Sequence, residues 1–358
     1  RLWDVASGEA GPVLRGHEGG ISSCAFSPVS DGEGRQWLAS AGGDGTVRLW
    51  DVASGEAGPV LRGHEGGISS CAFSPVSDGE GRQWLASAGG DGTVRLWDVA
   101  SGEAGPVLRG HEGGIYSCAF APVPDGAGRQ WLASVGGDST VRLWDVASGE
   151  SGPVLRGHEG GIYSCAFAPV PDGAGRQRLA SAGGDGTVRL WDVASGEAGR
   201  VIRGHERRIH SCAFAPVPDE AGRQWLASAG VDGIRLWDVA SGEAGPVLRG
   251  HEGGLSSCAF DPVPDGAGRQ WLASAGYDGT VQLWDAASGR CLRITALCTA
   301  SAGGEAGHAV WEPETDRVLE VTGDAWRHLA WLRPLSNALP ERLPLETFGP
   351  VPFKEEAA

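Results

Sequence analysis

No run of about 18 consecutive apolar residues occurs in this chain, so no segment reads as a membrane-spanning helix. No secretory signal is visible, and methionine is absent. Arg1 falls inside what reads as a strand, so the chain is expected to be a portion of something larger. An excess of positive charge is missing too. The formal net charge is −16, which argues against nucleic acid or an anionic membrane as the main partner. Local cysteine pairs are absent from the repeated part. Six of the eight cysteines occupy one recurring place, Ser-Cys-Ala-Phe: Cys24, Cys71, Cys118, Cys165, Cys212 and Cys258. One thiol on each short apolar run reads as a small buried hydrophobe, too far from its equivalents to bridge. Reduced thiols and a cytoplasmic setting follow as expectations. Cys291 and Cys298 are left open by this reasoning.

What the chain does have is glycine, 60 residues of it without a collagen period, and one repeating unit. Residues 17–63 and 64–110 are identical, and close copies begin at His111, His158, His205 and His251. Each copy ends its central part in Leu-Trp-Asp. A period of about 47 residues marks a solenoid, propeller or array. Short runs with Val, Ile and Trp, separated by Gly/Asp turns, make the units β. In the first unit, strands are expected over 21–26, 36–41, 46–50 and 58–62, with a tight turn at Gly42-Gly43-Asp44-Gly45. Pro59 suits an outer strand, where a missing donor can face solvent. One such unit cannot bury its apolar faces alone, so its neighbours must cover them.

Four antiparallel strands per unit, arranged radially, make a propeller blade. The Gly-His, Ser, Asp and Trp-Asp landmarks closely resemble the WD-repeat (WD40) family over residues 1–296. The expected fold is therefore all-β, a WD40 propeller of four-stranded antiparallel blades. The resemblance also implies a hydrogen-bonded tetrad in each blade. The sets are His17/Ser40/Asp44/Trp50, His64/Ser87/Asp91/Trp97, His111/Ser134/Asp138/Trp144, His158/Ser181/Asp185/Trp191, His205/Ser228/Asp232/Trp237 and His251/Ser274/Asp278/Trp284. Asp51 and its equivalents are expected to order the turn that follows the Trp.

As a domain layout, residues 1–358 read as a single propeller. Residues 1–16 are an N-terminal half-blade, 17–296 are six near-identical repeats, and 297–358 are degenerate strands and tail that close the ring. Trp311 sits in a segment like a third strand, 317–321 resembles a fourth, 326–331 a first, and 343–348 another strand or a packed tail. Joining both termini in one composite blade predicts seven blades; counting Trp-bearing third strands from Trp3 to Trp311 gives eight as the alternative.

Ser, His and Asp together also suggest a hydrolase triad. Catalysis needs an exposed nucleophile, a positioned base and an oxyanion site, whereas six buried copies supply a scaffold. Zinc is disfavoured because His17 and Cys24 should diverge, with no second local Cys. The expectation is no enzyme, no cofactor and no metal.

Near-identical units hide function in their differences. The fifth residue after the loop His is Ser22, Ser69, Tyr116, Tyr163, His210 and Ser256 in turn. The third is Gly except at Arg208. The residue before the tetrad Asp is Gly in four units, then Val231 and Tyr277. The family resemblance implies that these places line a top-face recognition surface. Tyr116, Tyr163, Arg208, His210, Val231 and Tyr277 are thus the candidate partner-binding set, rich in typical interface anchors; neutral drift among duplicated units is the bland reading. The recurring Arg48, Arg95, Arg142, Arg189 and Arg235 read as cover for apolar surface or as partners of acids from a turn. Trp37, Trp84, Trp131, Trp225 and Trp271, replaced by Arg178 in the fourth unit, read as blade-edge packing or an aromatic binding row.

Together these features point to a non-catalytic protein-interaction or sensor scaffold. The ending around Asp324–Arg327 and Glu346–Pro350 resembles that of bacterial WD-repeat regions in large multidomain proteins, which implies a regulatory region acting on a protein partner or fused effector. A purely architectural or oligomerising propeller is the alternative.

Overall fold

The computed structural model describes Leu2 and residues 11–298, 307–315, 317–321, 330–333 and 341–344. Each repeat contributes four antiparallel strands in chain order, a sheet of their own in the first five repeats and the start of a larger sheet in the sixth. In blade 1 these strands are Ile21–Phe26, Trp37–Gly42, Thr46–Asp51 and Ala57–Arg62, from innermost to outermost. The second strand pairs Leu38 with Trp50 and Cys24 with Ser40. Gly45 turns the chain at φ +72°, a conformation that glycine adopts freely. The outer strand slips in register between its partners Arg48 and Trp50. Gly58 and Pro59 occupy that slip. A Cβ on Gly58 would lie 2.6 Å from the Trp37 ring, and the missing N–H of Pro59 costs no ladder bond.

The period of two divides each strand between two interfaces, because both faces of a sheet meet neighbouring blades. Between blades 3 and 4, Trp131, Ala133, Val135, Val141 and Leu143 pack against Ile162, Cys165, Phe167, Leu179 and Trp191. Equivalent clusters join the other consecutive blades from 1 to 6. Two-sided burial explains why second strands such as Trp131–Gly136 are buried throughout, while outer strands are covered at intervals only. Polar stitches accompany the packing. The Ser23 hydroxyl accepts from the Cys71 amide at 3.1 Å, Ser70 from Cys118 at 3.2 Å, and Ser164 from Cys212 at 3.1 Å.

The inner-strand thiols of blades 2–6, Cys71, Cys118, Cys165, Cys212 and Cys258, are buried and free, and Cys291 on the outer part of blade 6 is half-buried and free. Burial pushes Cys71, Cys118 and Cys212 up to about 12. Cys24 departs from the sequence expectation and is exposed. Ile21 and Phe26 on the same strand are 58% and 53% exposed, whereas Ile68 and Phe73, the same residues in blade 2, are 1% and 8% exposed. The difference lies in position: in blades 2–6 this face is covered by the preceding blade.

The blade count corrects the sequence expectation. Among the described residues there are six blades, neither seven nor eight. The strands Gly307–Glu312 and Arg317–Val321 do not begin a further blade. They continue outward from Cys291–Cys298, making the last sheet six-stranded. The eight-residue strand Cys291–Cys298 offers a long outer edge, and pairing it satisfies backbone groups that an edge would expose. Trp311 is therefore on a fifth strand of blade 6, not a third strand of its own. Ala330–Arg333 and Glu341–Pro344 form a separate two-stranded hairpin. Of the expected half-blade, Leu2 pairs with Gly11 and Pro12, and Pro12 and Leu14 approach Gly55 as Pro59 and Leu61 approach Gly102. Trp3, the segment 326–329 and the tail 345–348 lie outside the described residues.

Candidate functional site

The tetrads come together in all six blades. In blade 3, Trp144 Nε1–H donates to Ser134 Oγ at 2.8 Å. Ser134 Oγ lies 2.8 Å from His111 Nε2, and His111 Nδ1 lies 2.9 Å from Asp138. Asp138 also accepts from the amides of Glu112 and Thr140 and from the Thr140 hydroxyl. One proton assignment satisfies every member: neutral His111 donates through Nδ1 and accepts the serine proton at Nε2. Burial lowers the His111 pKa against the raising effect of Asp138, in keeping with a neutral ring.

The other blades repeat this chain of contacts. The indole N–H donates to the serine hydroxyl from Trp50 to Ser40, Trp97 to Ser87, Trp191 to Ser181 and Trp284 to Ser274, each at 2.8 Å. In blade 5 Trp237 donates to Ser228 at 2.7 Å. Each of these serines meets its histidine at Nε2: Ser40 with His17, Ser87 with His64, Ser181 with His158, Ser228 with His205 and Ser274 with His251. Asp44, Asp91, Asp185, Asp232 and Asp278 close the sets at Nδ1.

Burial decides what the tetrads can do. Ser87, Ser181, Ser228 and Ser274 are sealed from solvent, as are Ser40 and Ser134. Trp97, Trp237 and Trp284 are buried with them, and so are Trp50, Trp144 and Trp191. These residues therefore form no surface that a substrate or partner could touch. Their polar atoms satisfy one another inside the blade while the indole bodies fill the space between strands. Both nitrogens of each ring are engaged, so the arrangement supports the radial packing of strands and an accessible nucleophile is not part of it. Asp51 accepts from the amides of Ala53 and Ser54, ordering its turn.

Blade 5 departs locally. It lacks the residue that is Thr46 in blade 1, so Gly233 begins its third strand at φ +110°. Asp232 holds His205 and the Glu206 amide, and Arg235 approaches it at 3.6 Å.

The six candidate partner residues gather along blades 3–6. Their clustering follows from the fold: inner strands of consecutive blades lie side by side, so equivalent side chains meet. Tyr116 and Tyr163 stack with ring centroids 5.3 Å apart and 20° between planes. Tyr163 and His210 follow at 5.3 Å, tilted by 44°. His210 then meets the edge of Tyr277 at 6.5 Å and 86°. Val231 and Tyr277 both border Gly254, and the Arg208 carbonyl accepts from the Val231 amide. Burial and the nearby Arg208 charge lower the His210 pKa. Tyr277 remains 73% exposed and Tyr116 40%. Blades 1 and 2 carry only Ser and Gly at these places.

Trp37, Trp84 and Trp131 are buried at the blade edge. Each donates from Nε1 to an aspartate, as Trp37 does to Asp31 at 2.9 Å, and an arginine covers the ring. This is packing rather than an open aromatic row. Sequence reading missed what the fourth unit does with this place. Arg178 and Arg200 line one cleft with Arg176 and Arg223. The signal was present as two departures from the repeat, Trp to Arg and Pro to Arg, but the strand register is needed to bring them together.

Five segments, 8–51, 55–98, 102–145, 149–192 and 242–285, match the family model described as WD domain, G-beta repeat. The chain belongs to the WD40-repeat family. The unmatched unit is the one ending in blade 5, which carries the deletion. A search of curated proteins returned no match.

Proposed function

We propose that this propeller is a non-catalytic protein-interaction module whose partner sits on the aromatic arc of blades 3–6. The carrying observation is the continuous ladder Tyr116–Tyr163–His210–Tyr277, built from the few positions where near-identical repeats differ. Aromatic rings offer large contact area with few rotors to immobilise, and the guanidinium of Arg208 adds polar reach. In this reading the propeller is a cytoplasmic regulatory region of a larger bacterial protein and acts on a fused effector. The tail's resemblance to such regions supports that setting.

The test is affinity capture with chemical cross-linking, comparing wild type with the triple Tyr116→Ala, Tyr163→Ala, Tyr277→Ala variant. Individual anchors contribute about 1–3 kcal/mol without strict additivity, so the folded variant should lose its cross-linked partner. Undiminished capture by that variant would reject the arc as the main interface. The exposed Ile21 and Phe26 favour a second reading, an oligomerising module. Sedimentation of Phe26→Ser against wild type distinguishes it: a concentration-dependent oligomer abolished by this change would favour assembly.

A further inference from the structure

At three blade junctions a groove between the outer half of one blade and the next blade's turn is lined by residues from matching parts of the repeat. Between blades 1 and 2 its charged lining is Asp31, Glu33, Arg35, Asp51 and Glu56, one arginine against four carboxylates. The groove between blades 2 and 3 repeats this with Asp78, Glu80, Arg82, Asp98 and Glu103. Between blades 4 and 5 the acidic excess is gone: the equivalent positions carry Arg176, Arg178 and Arg200 with Asp172, Asp192 and Glu197. There the lining holds Arg176, Arg178, Arg200 and Arg223 against Asp172 and Asp238, in a cleft of about 620 Å³. Three departures from the first unit combine: Ala174 stands where it has Glu33, Arg178 where it has Trp37, and Arg200 where it has Pro59. Trp occupies the position of Arg178 in the five other blades.

The exchange changes shape as well as charge. The Trp37 ring lies directly over Gly58. Arg178 instead turns to Asp172, with Nε and Nη2 at 2.9 and 2.8 Å, and its nearest atom to a Cβ on Gly199 would be 3.8 Å away. Arg176 shares that same carboxylate at 3.0 Å. Asp192 is more distant, 3.9 and 4.0 Å from these two arginines. Two guanidinium groups thus divide essentially one close carboxylate. Arg200 reaches across to the Ala240 carbonyl at 3.1 Å and, among the described residues, has no carboxylate partner. Arg223 is held from blade 5 by Asp219.

We propose that this cleft binds a phosphomonoester dianion. Guanidinium groups present planar donor forks that match phosphate oxygens, and several converge here from two blades. The volume falls in the range of small-ligand sites. This site is separate from the aromatic arc, and neither depends on the other.

The experiment is a ³¹P NMR and calorimetric titration of the chain at physiological salt with inorganic phosphate, AMP and a phosphoserine peptide. The variant Arg178→Trp, Arg200→Pro restores residues already tolerated in other blades, so it should fold. Saturable one-to-one binding of at least one probe is expected in wild type, weakened about tenfold or more in this variant. Grafting Glu33→Ala, Trp37→Arg and Pro59→Arg into blade 1 should add a second equivalent site. Preference for AMP or for the peptide would identify the source of the phosphate. No saturable binding of any probe by wild type, or equal binding by the restored variant, would overturn the proposal.

Discussion

Asp138→Ala should loosen blade 3 by about 2–3 kcal/mol. The figure comes from counting the groups it strands. Asp138 accepts four hydrogen bonds, from His111 Nδ1, the Glu112 amide, and the amide and hydroxyl of Thr140. The Glu112 amide is near solvent and can turn to water at little cost. His111 cannot, since its side chain is fully buried. An orphaned buried donor costs about 1–3 kcal/mol, and partial loss at Thr140 adds to it. The matched control is Asp145→Ala, which removes a turn-ordering acceptor on an exposed loop and should cost under about 1 kcal/mol. Urea unfolding measures both. Hydrogen exchange adds locality, because Val135 and Ser139 distinguish blade 3's peptides from those of the other blades. A loss within about 0.5 kcal/mol of the control, with unchanged exchange across 132–144, would refute the reasoning.

Three further outcomes follow from the same structure. Ser139 is the one described non-glycine residue at positive φ, +63°, where equivalent turns have Gly45, Gly92 and Gly186 at +71° to +73°; Ser139→Gly should raise stability by about 0.5–1 kcal/mol in urea unfolding, since an L-residue is strained there. Burial lowers the pKa of His64, His111, His158 and His205 from 6.5, so the unfolded chain takes up protons first. Stability is full above about pH 6.5 and falls as pH drops through the lowered values. A second loss is expected between 3.8 and about 2: burial would raise Asp91, but its hydrogen bonds, with the Glu65 amide foremost, and His64 hold it down. Unfolding free energy flat from pH 7 to 3 would contradict both. Native alkylation should label the peptide shared by the identical blades 1 and 2 to at most half, at exposed Cys24, slowed because local burial raises its thiol pKa, rather than at buried Cys71, and spare Cys118, Cys165, Cys212 and Cys258.

Much of the blade was legible because its signals are local. The turn Gly43-Asp44-Gly45 and the alternation of Val47 and Leu49 against Arg48 and Trp50 place strands within a residue of those observed. The tetrad spacing likewise recurs from repeat to repeat, shortened by one residue before Trp237 in the fifth. Context was not legible. Ile21 and Ile68 sit in identical sequences, yet one is exposed and the other buried; only position along the arc separates them. The blade number failed for the same reason. Gly307–Glu312 carries a Trp like a third strand, but nothing in its own sequence says that it will add to the edge of blade 6. The aromatic arc was readable because inner-strand positions stack in register. The arginine-lined cleft was not, because Arg178 and Arg200 lie on different strands and meet Arg223 only across a blade boundary.

The central claim, that blades 3–6 present the partner surface, is tested most directly by hydrogen exchange of the propeller with and without its captured partner. The inner-strand peptides differ conveniently: Ile-Ser-Ser in blades 1 and 2, Ile-Tyr-Ser in 3 and 4, Ile-His-Ser in 5 and Leu-Ser-Ser in 6. Partner binding should slow exchange in the Tyr- and His-bearing strands and around Val231 and Tyr277, leaving blades 1 and 2 unchanged. Protection confined to blades 1 and 2, or to the outer strands alone, would contradict the account.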